Sequence, residues 1–349
     1  MPITVLQLGP YPPPEGGITR NMLAIRERLR EREDRCSIVA TSKSSRIANE
    51  QDVYHPRSAA ELISLIRKID HDILHLHVGG DITRRVMSLC LAAATLGKRP
   101  VMTFHSGGYP KTAEAQKARP SSARGRIFRQ FSRVVVVNEE LADVFGRYGV
   151  PRERIAVIAP FALTPPDASV VLPDGISEFA GSHSPLLVSV GGLEPDYEPL
   201  FLINAMKGVL ERHPNVGLII VGGGSMQSAV ETAVEHSGYS NSIRLAGDVR
   251  HAETLRLIAM AHAMLRITLF DGDAISVREA LFVGTPVVAT DNGMRPAGVR
   301  LTSRGDTDGL IRNIDRVLSQ PSTRPRSLTP DYSNIDEVLG LYNELLRDV

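Results

Sequence analysis

The segment Leu269–Asp291, LFDGDAISVREALFVGTPVVATD, gathers residue types suited to a charged, hydroxyl-rich ligand. Asp271 and Glu279 flank the start of a short helix that carries Ser276, Arg278 and Glu279. The start of a helix has unpaired N–H groups and the positive end of its dipole, so it favours anions. Carboxylates beside such an end are poor phosphate ligands but good acceptors for sugar hydroxyls. Together they point to a ligand that joins a phosphate to a sugar. Ser276-Val277-Arg278-Glu279 also fits a capping box, in which serine and glutamate serve only the helix's own N–H groups. The sequence supports both readings. Asp271-Gly272-Asp273 matches an Asp-x-Asp metal pattern. Two carboxylates do not cage a metal by themselves, although Mg²⁺ can complete its shell with phosphates.

Other candidates lie further back. Gly16 and Gly17 close a proline-rich loop between the first strand and the first helix, and glycine there lets the backbone come close to a ligand. His75 and His77 share one face of a strand. A metal is conceivable there, but with no third ligand nearby a structural or polar-pocket role is the better reading. His105 follows the fourth strand, at the edge where parallel sheets bind ligands. It can meet a ligand hydroxyl or serve as a buried, hydrogen-bonded histidine. Residues 111–133 hold Lys111, Lys117, Arg119, Arg124, Arg126, Arg129 and Arg133 against Glu114. With Ile127, Phe128 and Phe131 this reads as a solvated helix face or as a contact for anionic membrane or lipid phosphate. Gly222-Gly223-Gly224 follows a strand but lacks the spacing of a dinucleotide fingerprint, since Gln227 stands where its last glycine belongs.

These residues need elements to hold them. Apolar runs of strand length alternate with helical periodicity across both halves, which predicts two parallel, doubly wound sheets. In the opening segment, Gly284 is placed to stop the helix and Val287, Val288 and Ala289 to form the next strand. Residues 160–185 are dense in proline, glycine, serine and aspartate, and read as the interdomain linker. A tail helix near Ser333–Arg347 is expected to return to the first domain. The expected division is 1–165, 166–330 and a terminal helix over 331–349.

The chain has 349 residues, 42% hydrophobic and 23% charged, an ordinary globular composition long enough for two cores. A net charge of +1 argues against a wholesale nucleic-acid binder. Cys36 and Cys90 show no metal or redox spacing and read as reduced thiols, which fits a cytoplasmic setting. No run approaches the roughly 18 to 20 apolar residues of a membrane span.

Taken together, the chain resembles the retaining glycosyltransferases of family four, which have the GT-B fold. The resemblance rests on Gly16-Gly17, Asp72–His77, Thr103-Phe104-His105, Val190–Leu193, Leu218–Gly224, Leu245–Val249 and, most specifically, Glu279-Ala280-Leu281 with Gly284–Ala289. It implies two Rossmann-like domains facing each other across a cleft. Asp271 would bind hydroxyls of the donor sugar, standing where the family usually has glutamate, and Glu279 the nucleotide ribose. Backbone N–H groups around Ala274, Ile275, Ser276 and Val277 would hold the diphosphate, and Gly17 would approach it from the other domain. His105 would sit near the transferred sugar. Gly247, Asp248 and Val249 would line the base pocket. The resemblance implies front-face attack, with the leaving phosphate helping to deprotonate the acceptor, no cofactor and no metal. It also implies a nucleotide-sugar donor, a glycan or lipid-linked saccharide acceptor, and surface polysaccharide assembly.

Two pairs of positions depart from the pattern. Gly192 and Tyr197 stand where an arginine and a lysine usually grip the diphosphate, and Asp273 and Ala274 replace a phenylalanine and a glycine. A charge-assisted contact of this kind is worth roughly 1.5–3 kcal/mol. Arg278, Arg295 and Arg20 are candidates to replace the lost charge. A non-catalytic scaffold, and a sugar-nucleotide epimerase or a phosphorylase on the same fold, are the rival readings.

Overall fold

The structure is a computed structural model and describes residues 2–11, 16–42, 50–269, 274–320, 325 and 327–347. The chain divides into two compact units, Met1–Ala162 with Tyr332–Val349, and Leu163–Asp331.

The first unit runs β1 (Thr4–Gly9), α1 (Gly17–Glu31), β2 (Arg35–Ala40), β3 (Val53–Tyr54), α2 (Ala59–Lys68), β4 (Ile73–Val78), α3 (Arg84–Leu96), β5 (Val101–Phe104), α4 (Ala113–Gln116), α5 (Ala123–Phe128), β6 (Arg133–Val136), α6 (Glu139–Arg147) and β7 (Ile155–Val157). Its seven strands are all parallel, in the order β3-β2-β1-β4-β5-β6-β7. Strand order reverses between β1 and β4. Such a switch point opens a crevice at the carboxyl edge, because the helices that follow the two strands leave toward opposite faces. Close packing there restricts residue type. A side chain at Gly9 would strike Met22 of α1, and one at Gly79 would strike Ile18.

The second unit runs α7 (Asp174–Ser182), β8 (Leu186–Val190), α8 (Pro199–Arg212), β9 (Gly217–Val221), α9 (Gln227–Glu235), β10 (Ile243–Gly247), α10 (His251–Met260), β11 (Ala263–Arg266), α11 (Ile275–Phe282), β12 (Val287–Thr290), β13 (Arg300–Thr302) and α12 (Thr307–Leu318). Its six parallel strands have the order β10-β9-β8-β11-β12-β13, so the switch point lies between β8 and β11. In the triple glycine, Gly222 and Gly224 are required by packing rather than by a nucleotide fingerprint. Gly222 has φ +123° and a Cβ there would collide with the Gly191 carbonyl oxygen. Leu193 N–H bonds Gly223 O at 2.9 Å, which locks the loop after β8 to the loop after β9.

The final helix, α13 (Ser333–Arg347), belongs to the first unit. Ile335, Val338, Leu339, Tyr342 and Leu345 are buried in a core shared with Ile25, Leu29 and Ile73. Asp336 accepts two bonds from Arg28 of α1, at 2.8 and 2.9 Å.

One expectation needs correction. The stretch 160–185 is not all linker. It contains α7, whose Ile176 is buried against Ile219 and Val221 of β9, and Arg244 of β10 donates to Gly175 O at 2.9 Å. Nine residues that include two glycines hide helical periodicity. Packing against a finished sheet supplies what the local sequence lacks. The short strands β3 and β13 are not predicted by the sequence pattern either.

Candidate functional site

In the second unit, β11 leads toward α11. Asp271 and Asp273 lie outside the described residues. The helix has Ala274 as its N-cap, with no side-chain cap. Its first internal bonds run from Val277 and Arg278 N–H to Ala274 O, at 3.0 and 3.2 Å. Among the described residues, the N–H groups of Ile275 and Ser276 have no acceptor, which leaves donors for an anion. The capping box is not formed. Glu279 turns instead to α10, where His251 Nε2 lies 2.5 Å from its Oε1. The carboxylate residue is 4% exposed, and burying a charged group is costly unless it is partnered. The helix stops as its sequence requires. Gly284 has φ +77°, Gly284 N–H bonds Leu281 O at 3.1 Å and Thr285 N–H bonds Ala280 O at 2.8 Å, a Schellman motif.

Gly247, with φ +65°, ends β10, and Gly222 N–H bonds its carbonyl at 2.8 Å. Asp248 accepts from Gly223 N–H at 3.1 Å. Asp248 and Val249 line an open cavity of about 410 Å³ with Ala246, Arg250 and Ile176. That is room for a flat heterocycle beside the edge strand.

The switch point of this unit carries a cation that sequence reading missed. Arg266, the last residue of β11, is 7% exposed. It donates through Nη1 to Val190 O at the end of β8, and its guanidinium lies 4.9 Å from the centre of the Tyr197 ring. A Cβ on Gly191 would strike both Arg266 and Tyr197. Positive charge therefore stands beside Gly192 and Tyr197, two of the positions that depart from the family pattern. Arg295 sits next to it, donating from Nε to Thr290 O at 3.1 Å and from Nη2 to Thr268 Oγ1 at 3.3 Å. Of the three arginines weighed from sequence, Arg295 is thus beside the switch point.

In the first unit, Gly16 is the N-cap of α1 and Gly17 its first residue. Both are exposed, and space around Gly16 is open. His105 follows β5 and is half-buried. Its Nε2 is 3.1 Å from Nδ1 of His77, whose Nε2 is 3.0 Å from Gln7 Oε1. His75 sits between Tyr342 OH at 2.5 Å and Thr103 Oγ1 at 2.7 Å. Burial lowers the pKa of His75 and of His105 to about 3, and that of His77 well below its usual value, with neighbouring imidazoles adding to the effect at His75 and His77. All three rings are neutral at pH 7. Among the described residues, no group of three or more His, Cys, Asp or Glu could hold a metal. A cavity of about 860 Å³ also opens in this unit, with Leu62 and Leu89 on its apolar side and His55, Ser58, Thr83 and Arg85 on its polar side.

The basic stretch 111–133 is amphipathic, but its apolar side faces inward. Phe128 and Phe131 are buried in the first unit's main core. Burying one such side chain is worth about 1.5–3 kcal/mol, against about 1 kcal/mol for a basic residue at an anionic surface, so the core wins the aromatics. Cys36 and Cys90 are buried free thiols, their pKa values pushed up by burial to about 11 and about 12. Among the described residues, no helix is long and apolar enough to cross a membrane.

Gln7, His251 and Arg266 are not singled out by the sequence reading. A signal existed for two of them. Strands buried on both faces of a parallel sheet read as near-continuous apolar runs. A glutamine inside Val5–Leu8 and an arginine inside Ala263–Ile267 break that rule. His251 gave no such signal, because its partner is 28 residues away.

Comparison with known proteins agrees with this arrangement. A family model described as Glycosyltransferase Family 4 matches residues 15–162, and one described as Glycosyl transferases group 1 matches residues 177–327. A D-inositol 3-phosphate glycosyltransferase of Corynebacterium efficiens is 30% identical over 275 residues, which is 72% of this chain and 61% of the relative. The chain thus spans about three-fifths of that relative's length. Among solved structures, HepE of Anabaena in complex with UDP and glucose superposes with a TM-score of 0.68 at 16% identity, covering 99% of this chain and 98% of the other. Sucrose-phosphate synthase of Thermosynechococcus elongatus gives 0.69 at 16% identity, covering 99% and 100%. At that identity the likeness speaks for the fold, two Rossmann-like domains of the GT-B type.

Proposed function

Since the chain belongs to the family-4-like glycosyltransferases of the GT-B fold, we propose that it moves a sugar from a nucleotide-sugar donor to a glycan or lipid-linked saccharide acceptor. Transfer retains the anomeric configuration, needs no metal and serves surface polysaccharide assembly in the cytoplasm. One observation carries this reading. N–H groups at the start of α11, without an acceptor among the described residues, stand one turn before a buried, histidine-held carboxylate, Glu279. An anion and a hydroxyl group can bind there together. The UDP and glucose named for the Anabaena structure support a donor of this class.

The second unit binds the donor. N–H groups of Ile275 and Ser276, with Arg266 and Arg295 behind them, take the diphosphate, and Glu279 takes a ribose hydroxyl. Gly247, Asp248 and Val249 border the base. Asp271 keeps the role implied by the resemblance, on the donor sugar. In the reaction the bond from the anomeric carbon to phosphate breaks. A bond to the acceptor oxygen forms on the same face, and a phosphate oxygen takes the acceptor's proton. Preorganised positive charge at the leaving group is the main source of rate in such a step. The first unit supplies His105 as a neutral polar contact, and the cavity beside Arg85 has the mixed lining an amphiphilic saccharide needs. Any peripheral membrane contact through residues 111–133 rests on charge alone.

Calorimetry with a panel of nucleoside diphosphates tests this. One of them binds, and Glu279→Gln weakens it roughly 10- to 150-fold, the value of a hydrogen bond to a charged group. Binding by none replaces the enzyme with a non-catalytic scaffold, a reading that Gly192 and Tyr197 favour. Sugar released or altered without acceptor points to an epimerase.

A further inference from the structure

The buried polar chain of the first unit has a direction. Met22 O is a carbonyl and only accepts, so the Gln7 amide must present its Nε2 there, at 2.9 Å. A second Nε2 proton points at Cys36 Sγ, at 3.2 Å. Turning the amide over would set two oxygens against each other. Gln7 Oε1 is therefore an acceptor, and the group facing it, His77 Nε2 at 3.0 Å, must carry a proton. A neutral imidazole has one N–H. His77 Nδ1 is then bare, and the proton in its 3.1 Å contact comes from His105 Nε2. His105 in turn has no proton left for Nδ1, and among the described residues that atom has no protein partner.

We propose that Gln7 and His77 are positioning residues that hold His105 as its Nε2–H tautomer, so that its Nδ1 accepts a hydrogen bond from a ligand hydroxyl. The depressed pKa values agree, since a charged ring anywhere in the chain would end its polarity. His75 shows the contrast. Its partners Tyr342 and Thr103 are hydroxyls, which donate or accept, so nothing fixes its tautomer. The consequence is selectivity. A bare Nδ1 attracts an O–H and repels a phosphoryl oxygen, so His105 reads the sugar and not the diphosphate. That last step rests on the glycosyltransferase reading, whereas the tautomer does not.

Two-bond ¹H–¹⁵N correlation spectra of the full chain with labelled histidine test the tautomer directly, with His105→Gln to assign the ring. The expected wild-type pattern is a protonated Nε2 and a bare Nδ1 at pH 7. A protonated Nδ1 overturns the proposal, and the readout itself is taken on the wild-type protein. Gln7→Leu removes the acceptor, and the single pattern is lost in favour of a mixture. His77→Gln keeps both a donor and an acceptor, and restores the wild-type pattern at His105. An unchanged His105 in a folded Gln7→Leu protein would sink the relay. If the pattern is as expected but no sugar is transferred, the relay stands and the functional reading falls.

Discussion

The two switch points share a topology but not a chemistry. In the first unit, Gln7 of β1 and His77 of β4 are buried at the switch point, neutral groups in a hydrogen-bond chain. In the second, the switch point between β8 and β11 holds a buried guanidinium, Arg266, and α11, which follows β11, carries a buried carboxylate, Glu279. A neutral chain orients a ligand without attracting charge. A buried charge attracts and holds an opposite one, because the surrounding protein screens it poorly. On the proposed reading, the neutral edge suits hydroxyls and the charged edge a diphosphate.

That contrast can be broken in several ways. Acid should unfold the first unit through its histidines. Their folded pKa values lie below the unfolded value of about 6.5, so the unfolded chain binds more protons as pH falls. Stability is full above pH 6.5 and drains as pH falls toward about 3, the value reached by His75 and His105. The slope is up to about 1.4 kcal/mol per pH unit for each histidine. Urea melts across that range, read by a probe in each unit, should show the first unit losing stability faster. Equal slopes would erase the distinction.

Arg266→Met tests the charged side. It keeps much of the volume and removes the charge. Loss of about 1.5–3 kcal/mol of nucleoside diphosphate affinity is expected, measured by calorimetry on protein shown to be folded. Undiminished affinity would move the charge elsewhere, to Arg295 first.

Tyr342→Phe opens the hydrogen bond to His75 Nδ1 inside the first core. A buried group left unpaired costs about 1–3 kcal/mol, so the denaturation midpoint should fall while diphosphate affinity holds. A change in affinity would mean that the two edges are not chemically separate. The smallest effect is expected at Arg28 and Asp336, which tie α13 to α1 at a partly exposed site. Arg28 holds the Asp336 carboxyl below its usual pKa, so the pair's contribution is present near neutrality and lost as pH falls through that lowered value. Asp336→Asn should cost only about 0.2–1 kcal/mol.

Much of this architecture is legible in the sequence. Alternating apolar strands and periodic helices predict both sheets, and Glu139–Arg147, Leu186–Val190 and Pro199–Arg212 fall where the periodicity puts them. Gly284 predicts its own left-handed turn, because only the local backbone decides it. Near Glu279 the capping-box pattern is equally legible and does not form, since a buried carboxylate bonds the nearest donor in space, here His251. α7 escapes notice because its stability comes from the sheet it covers.

Local spacing, then, determined the strands, the helices, their stops and the acid-bearing helix start, since those depend on backbone preference and on neighbours a few residues away. Tertiary structure decided who pairs with whom. Gln7 reaches His105 through His77, Arg266 meets Tyr197, and Phe128 and Phe131 go to the core rather than to a surface. Each of those outcomes turns on burial. A polar group removed from water must take whichever partner the packed sheet brings within about 3 Å, and sequence distance has no part in that choice.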